Sequence, residues 1–229
     1  MVQAPHRWTE YRVPDTLPDD TEESVVGTEW HQEAISALTG MLREAARRQG
    51  ASWDACDQIA LMGLRRTDDR PYDPRPDVMI LARPLPSGAS SSIALTDAGV
   101  PLFIAEVASR GTVSEDIGEK RRVYEAIGVQ EYIVYDPDGS LLSTPLRAWR
   151  LEDEAFVPWH AEQDGLWHSS VLGVTIESTQ PLLNMRDWMG EPIDPPRRAW
   201  ERAHEADTLE RRIRDLEDEL RRLREDPTG

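Results

Sequence analysis

Residues 101–137, PLFIAEVASRGTVSEDIGEKRRVYEAIGVQEYIVYDP, decide the fold class. The stretch opens with an apolar run of strand length, Leu102 to Ala108, with Glu106 inside it. A buried strand tolerates a carboxylate only when something pairs with it or a metal binds it. After a linker, Ser109 to Thr112, the residues Val113, Ile117, Lys120, Tyr124 and Ile127 recur at steps of four and three. Those steps set all five on one helix face, so Lys120 is expected on the stripe that meets the core. Gly128 is placed to end the helix as a C′ glycine. A second strand, Glu131 to Tyr135, then closes at the turn signal Asp136-Pro137-Asp138-Gly139. Strand, helix, strand within some forty residues predicts an α/β protein.

Composition sharpens the position of Lys120. The chain has 26 Lys plus Arg, of which Lys120 is the single Lys. Arg cannot give up its proton or act as a compact point charge, and Lys can do both. Two readings stay open: a buried Glu106–Lys120 ion pair that fixes strand to helix, or a catalytic pair.

The totals bound the rest. A chain of 229 residues is long enough for one sizeable core and an appendage. The net charge of -17 argues against tight, non-specific nucleic-acid binding, which requires cations against phosphates. Cys56 stands alone, which excludes an intramolecular disulfide framework and a cysteine zinc site. No apolar stretch approaches a membrane span and no signal-type apolar segment opens the chain, so no membrane partner and a cytoplasmic location are expected.

Along the chain, residues 1–24 read as a flexible arm on which Trp8 and Tyr11 are able to dock locally. A helix capped by Thr28 is expected to run to about Gln49, its stripe of Ala34, Ile35, Leu38, Leu42 and Ala45 or Ala46 facing a sheet. His31 near its start either points into a site or is a half-exposed helix-end residue. Residues 52–66 read as one or two strands, 67–76 as a turn-rich connection without regular structure, and 77–81 as a short apolar strand headed by Asp77. Residues 84–92 form a Pro/Gly/Ser loop, and 146–151 with 155–159 a hairpin. Another extended segment covers 165–177, a short amphipathic piece 181–189, and Pro192, Pro195 and Pro196 mark a boundary. In residues 197–226, Leu209, Ile213, Leu216, Leu220 and Leu223 make a coiled-coil seam, supported by pairs such as Glu210 with Arg214. So short a helix must pair with a second copy, with the body or with a protein partner.

Asp77 and Glu106 are the types a hard divalent cation takes, with its remaining positions left to water and phosphate. A nearby ammonium orients that water or stabilises charge on the phosphate. The sequences Pro76-Asp77-Val78, Glu106-Val107-Ala108-Ser109, Asp116-x-x-x-Lys120-x-x-x-Tyr124 and Gly128-Val129-x-Glu131-Tyr132 before Asp136-Pro137 resemble the Uma-two family of endonucleases, within the PD-(D/E)XK superfamily. Trp30-His31-Gln32 and Ser169-Ser170-Val171-Leu172-Gly173-Val174 resemble it too, over about residues 25–180 in all.

The resemblance implies a restriction-endonuclease-like mixed sheet flanked by helices over 25–191, with the C-terminal coiled-coil helix outside it. It implies a Mg²⁺- or Mn²⁺-dependent endonuclease acting on DNA, with Asp77, Glu106 and Lys120 catalytic. Asp77, Glu106 and the backbone carbonyl of Val107 become the metal ligands. The superfamily's usual Lys would fall at Ala108 and is absent, so Lys120 takes its place. Supporting roles fall to His31, Ser109, Asp116 and Tyr124. The competing expectations are a turn-former for Ser109, a solvated salt bridge for Asp116 and simple packing for Tyr124. The alternative function is a catalytically silent scaffold assembled through residues 197–226, as a homodimer, a higher homo-oligomer or a complex with another protein.

Overall fold

The structure is a computed structural model that describes residues 7–14, 29–85, 91–198 and 212–214. At its centre lies a six-stranded mixed sheet. Its strands are β1 (Asp54–Asp57), β2 (Val78–Leu81), β3 (Phe103–Val107), β4 (Glu131–Tyr135), β5 (Leu146–Glu152) and β6 (Ala155–Pro158). Their spatial order is β6-β5-β4-β3-β2-β1, with only β3 and β4 parallel. A parallel pair requires a crossover, and the helical segment between them supplies it. All five residues of β3 and of β4 are buried, as expected of strands covered on both faces.

One face is covered by helix α1 (Glu29–Gln49). Ala34, Ile35, Leu38, Leu42 and Ala45 point inward as the spacing predicts, joined by Ala37 and Met41, while Ala46 is half-buried. A four-stranded antiparallel sheet, β7 (Trp167–Ser169), β8 (Val174–Glu177), β9 (Asn184–Arg186) and β10 (Pro192–Ile193), adds Val174, Ile176, Met185 and Ile193 to the same core. Glu131, fully buried on β4, is made tolerable by Nε of Arg150 at 3.2 Å and the hydroxyl of Ser169. That link fastens the two sheets together.

The other face is covered by the crossover, which changes pitch twice. Val113–Glu115 is α-helical, Asp116–Lys120 is a π turn, and α2 (Arg121–Ile127) is α-helical again. Gly128 ends it at φ 96°, its N–H and that of Val129 donating back to the carbonyl of Tyr124. Val123, Tyr124 and Ile127 pack with Ile104, Tyr132, Val134 and Trp149 into a second core.

Several expectations are corrected. Within the N-terminal arm the local docking expected of Trp8 and Tyr11 is found, and it comes with regular structure. Arg7–Glu10 is a helical turn, Arg12–Val13 pairs in parallel with Leu64–Arg66, and Trp8 and Val13 are buried in the second core. Two large apolar side chains outweigh the Pro- and acid-rich composition around them. Residues 52–66 hold three strands rather than one or two, because Gln58 and Gly63 at positive φ turn the chain between sheets. The connection 67–76 includes a two-residue strand, Pro71–Tyr72, against Leu64–Arg66. Residues 165–177 are a hairpin rather than one extended segment, with Ser169 bonding the N–H of Leu172 in its turn. The piece 181–189 contains strand β9.

Met1–Ile193 and Asp194–Gly229 form two separate compact units. Most of the predicted coiled-coil seam, together with the helix cap expected at Thr28, lies outside the described residues. Of the seam, Ile213 is described; it is helical and exposed. Among the described residues no helix is long and apolar enough to cross a membrane.

Candidate active site

The site follows from strand register. Val78 on β2 pairs with Ala105 on β3, so Asp77, one residue earlier, comes opposite Glu106. The two are tied together through the backbone. The N–H of Asp77 donates to Oε2 of Glu106 at 3.1 Å, and the N–H of Val107 donates to Oδ2 of Asp77 at 2.8 Å. Val107, given a ligand carbonyl by the resemblance, therefore sits within the site.

Glu106 is buried from its own backbone to its carboxylate. Its Oε1 accepts the Tyr124 hydroxyl at 2.8 Å and stands 3.7 Å from Nζ of Lys120. The Tyr124 hydroxyl, for which packing was the competing expectation, is thus a direct partner of the central carboxylate.

Lys120 is nearer to a different acid. Its Nζ lies 3.2 Å from Oδ1 of Asp116, one turn earlier. Asp116 is 1% exposed, against the solvated salt bridge that competed for it. The π turn explains the difference. Its turns are wider than the 3.6 residues of an α-helix, so positions four apart come close to eclipsed. Asp116, Lys120 and Tyr124 therefore form one inward line, and Val113 and Ile117 are left half-buried at its flank. The Tyr132 hydroxyl, which the sequence reading passed over, donates to the Asp116 carbonyl at 2.8 Å and steadies the turn.

His31 belongs to the site as well. Its Nε2 is 3.6 Å from Oδ2 of Asp77, and its side chain is 13% exposed rather than standing out at a helix end. Ser109 stays apart from the carboxylates. Its hydroxyl meets that of Thr112 at 2.9 Å and its carbonyl accepts the N–H groups of Thr112 and Val113, the turn-forming role.

Three carboxylates and one ammonium thus share a nearly dry enclosure, and the imbalance shows in their acidity. Burial raises Glu106 well above the usual carboxylate range, against the lowering effect of Lys120, and Asp77 and Asp116 push it further. Asp116 is raised to about 6 by burial, opposed by Lys120 and reinforced by Asp77. His31 is raised by the Asp77 carboxylate 3.6 Å away, against burial. Three acidic side chains against one ammonium fit a hard cation in charge and donor type. Among the described residues no three His, Cys, Asp or Glu side chains already converge as a complete ligand set. Protein carbonyl, water and substrate oxygens would complete one.

A family model, described as "Uma2: Putative restriction endonuclease", matches residues 17–171, more than half of the chain. Among solved structures, a "putative nuclease belonging to DUF820" from Anabaena variabilis ATCC 29413 is similar, with a TM-score of 0.47 and 14% sequence identity. That match covers 64% of this chain and 75% of the other. No curated protein matches the sequence.

Proposed function

The chain belongs to the Uma2 family, and on that premise we propose that it is a divalent-metal-dependent endonuclease hydrolysing phosphodiester bonds in DNA. The observation that carries this reading is the pairing of Asp77 and Glu106 on adjacent strands, with the sole Lys aimed at Glu106 from the crossover helix. Asp77, Glu106 and the Val107 carbonyl would hold Mg²⁺ or Mn²⁺. When bound, such an ion activates water and offsets charge on the phosphate. Lys120 places an ammonium beside Glu106, where it orients a water or meets charge on a phosphoryl oxygen. Tyr124 fixes the Glu106 carboxylate, Asp116 fixes the ammonium, and His31 flanks Asp77.

Supercoiled plasmid with Mg²⁺ or Mn²⁺ tests the proposal. Wild type is expected to nick or linearise it, and Glu106→Gln to be slower by about 10²-fold or more. Equal cleavage by the variant sinks the assignment.

One observation favours the scaffold alternative: both Glu106 oxygens already have protein partners. On that reading the network is structural, wild type leaves plasmid intact with either metal, and residues 197–226 assemble the protein.

A further inference from the structure

The active-site face of the central sheet carries a second feature that the carboxylate cluster does not explain. Glu106 on β3 pairs with Val134 on β4, and Val134 pairs with Arg147 on β5. Cross-strand partners point to the same side of a sheet, so Arg147 shares the face and the row of Asp77 and Glu106. Two strand spacings put its Cα about 10 Å from that of Glu106. Its side chain is exposed, and its guanidinium lies over the ring of buried Trp149, 5.3 Å from the centroid. Arg121, the residue after Lys120, reaches the same ring from the crossover, at 5.6 Å. Trp149 is itself stacked on Tyr132, whose ring meets Tyr124 edge to face. A continuous aromatic layer thus connects the two arginines to the side chain that bonds Glu106.

Neither guanidinium pairs with a carboxylate among the described residues. Several other arginines of this chain, with its 43 acidic against 26 basic residues, do pair. Arg47 and Arg48 are bound by Glu44, Arg65 by Asp69, Arg70 by Asp68 and Arg150 by Glu131. Where carboxylates outnumber cations, two arginines beside an acidic site and without acidic partners are placed for an anion from outside. A stacked guanidinium keeps its donors free at its rim and loses little freedom when they bond a phosphate.

We infer that Arg121 and Arg147, held on Trp149, are a phosphodiester-backbone clamp that seats the nucleic-acid strand beside the scissile phosphate. The clamp rests on the proposed nuclease reading and adds to it the means of substrate binding. It also answers the charge problem, because a local basic pair binds phosphate where a -17 chain as a whole does not.

The test is the salt dependence of binding, read by fluorescence anisotropy of a labelled short DNA duplex in Ca²⁺ with the full-length protein. Each lost phosphate contact lowers the slope of log K against log salt by about 1. The double variant Arg121→Gln/Arg147→Gln is expected to lose about 2 from the slope, and each single variant about 1. Arg147→Lys should keep most of it. Arg186→Gln, on strand β9 of the other sheet, should change nothing. The exposed Arg147 gives a usable single variant if the double one folds poorly. A purely structural role on Trp149 would shift the melting temperature and leave the slope alone. An unchanged slope overturns the clamp, as does wild type that fails to bind the duplex. Binding that follows the predicted slopes without any plasmid cleavage leaves the clamp standing and rejects the nuclease reading. Cleavage with an unaltered slope does the reverse.

Discussion

Replacing Lys120 by Met keeps the length and apolar stem of the side chain and removes one charge from an enclosure that holds three carboxylates. Lys120 faces Asp116 at 3.2 Å and Glu106 at 3.7 Å, with its own side chain only 6% exposed. Without it, the least costly response of the folded protein is to take up a proton on one of those acids. Asp116 already stands at about 6 in the intact protein, so forcing a proton onto it at pH 7 costs the variant about 1.4 kcal/mol relative to wild type. At pH 5 Asp116 is protonated in both proteins, and that cost vanishes. The sign follows from the pair itself. Lys120 lowers both carboxyl groups relative to the variant, so its stabilisation is present at neutral pH and is lost as pH falls and the acids protonate. Urea denaturation at the two pH values measures it, and the melting temperature should drop by about 3–6 °C at pH 7. A loss of equal size at both pH values would mean that packing matters and charge does not. Mn²⁺ is expected to return part of the loss by binding the folded state. Variant protein that folds with Mn²⁺ and still cleaves plasmid at full rate would remove Lys120 from the mechanism.

Asp116 makes an opposite pH prediction for the intact protein. Burial raises it from 3.8 to about 6, so the native state holds its proton more tightly than the unfolded chain. Its contribution is therefore greatest at low pH and is lost as pH rises from about 4 to 6, at up to about 1.4 kcal/mol per pH unit. Asp116→Asn should flatten that part of the stability profile, and an undiminished slope in its urea titration would assign the effect elsewhere. Deleting residues 197–229 is expected to lower the oligomer mass in light scattering and leave the melting of the body unchanged, since Met1–Ile193 is a compact unit of its own. A mass per subunit count equal to that of the full chain would place the association surface on the body.

The sequence by itself determined the features that depend on neighbours along the chain. The strands around Glu106 and at 131–135, the stripe of α1, the glycine stop at Gly128 and the hairpin 146–158 all follow from periodicity and turn chemistry, which are local. Glu106 and Lys120 were legible for a related reason: a carboxylate in an apolar run and a lone ammonium on an apolar stripe each demand a partner. The tertiary structure alone decided how those partners are shared. Whether Asp116 faces inward depends on a change of helical pitch that leaves no mark in a 3.6-residue pattern. Whether His31 meets Asp77 depends on how a helix more than forty residues away packs on the sheet. The docking of Trp8 and Val13, and the alignment of Arg147 with Glu106 across β4, are long-range registers set by packing and cross-strand hydrogen bonds. Local sequence specifies each element, but the free energy that selects among arrangements of elements lies in contacts between residues distant in the chain.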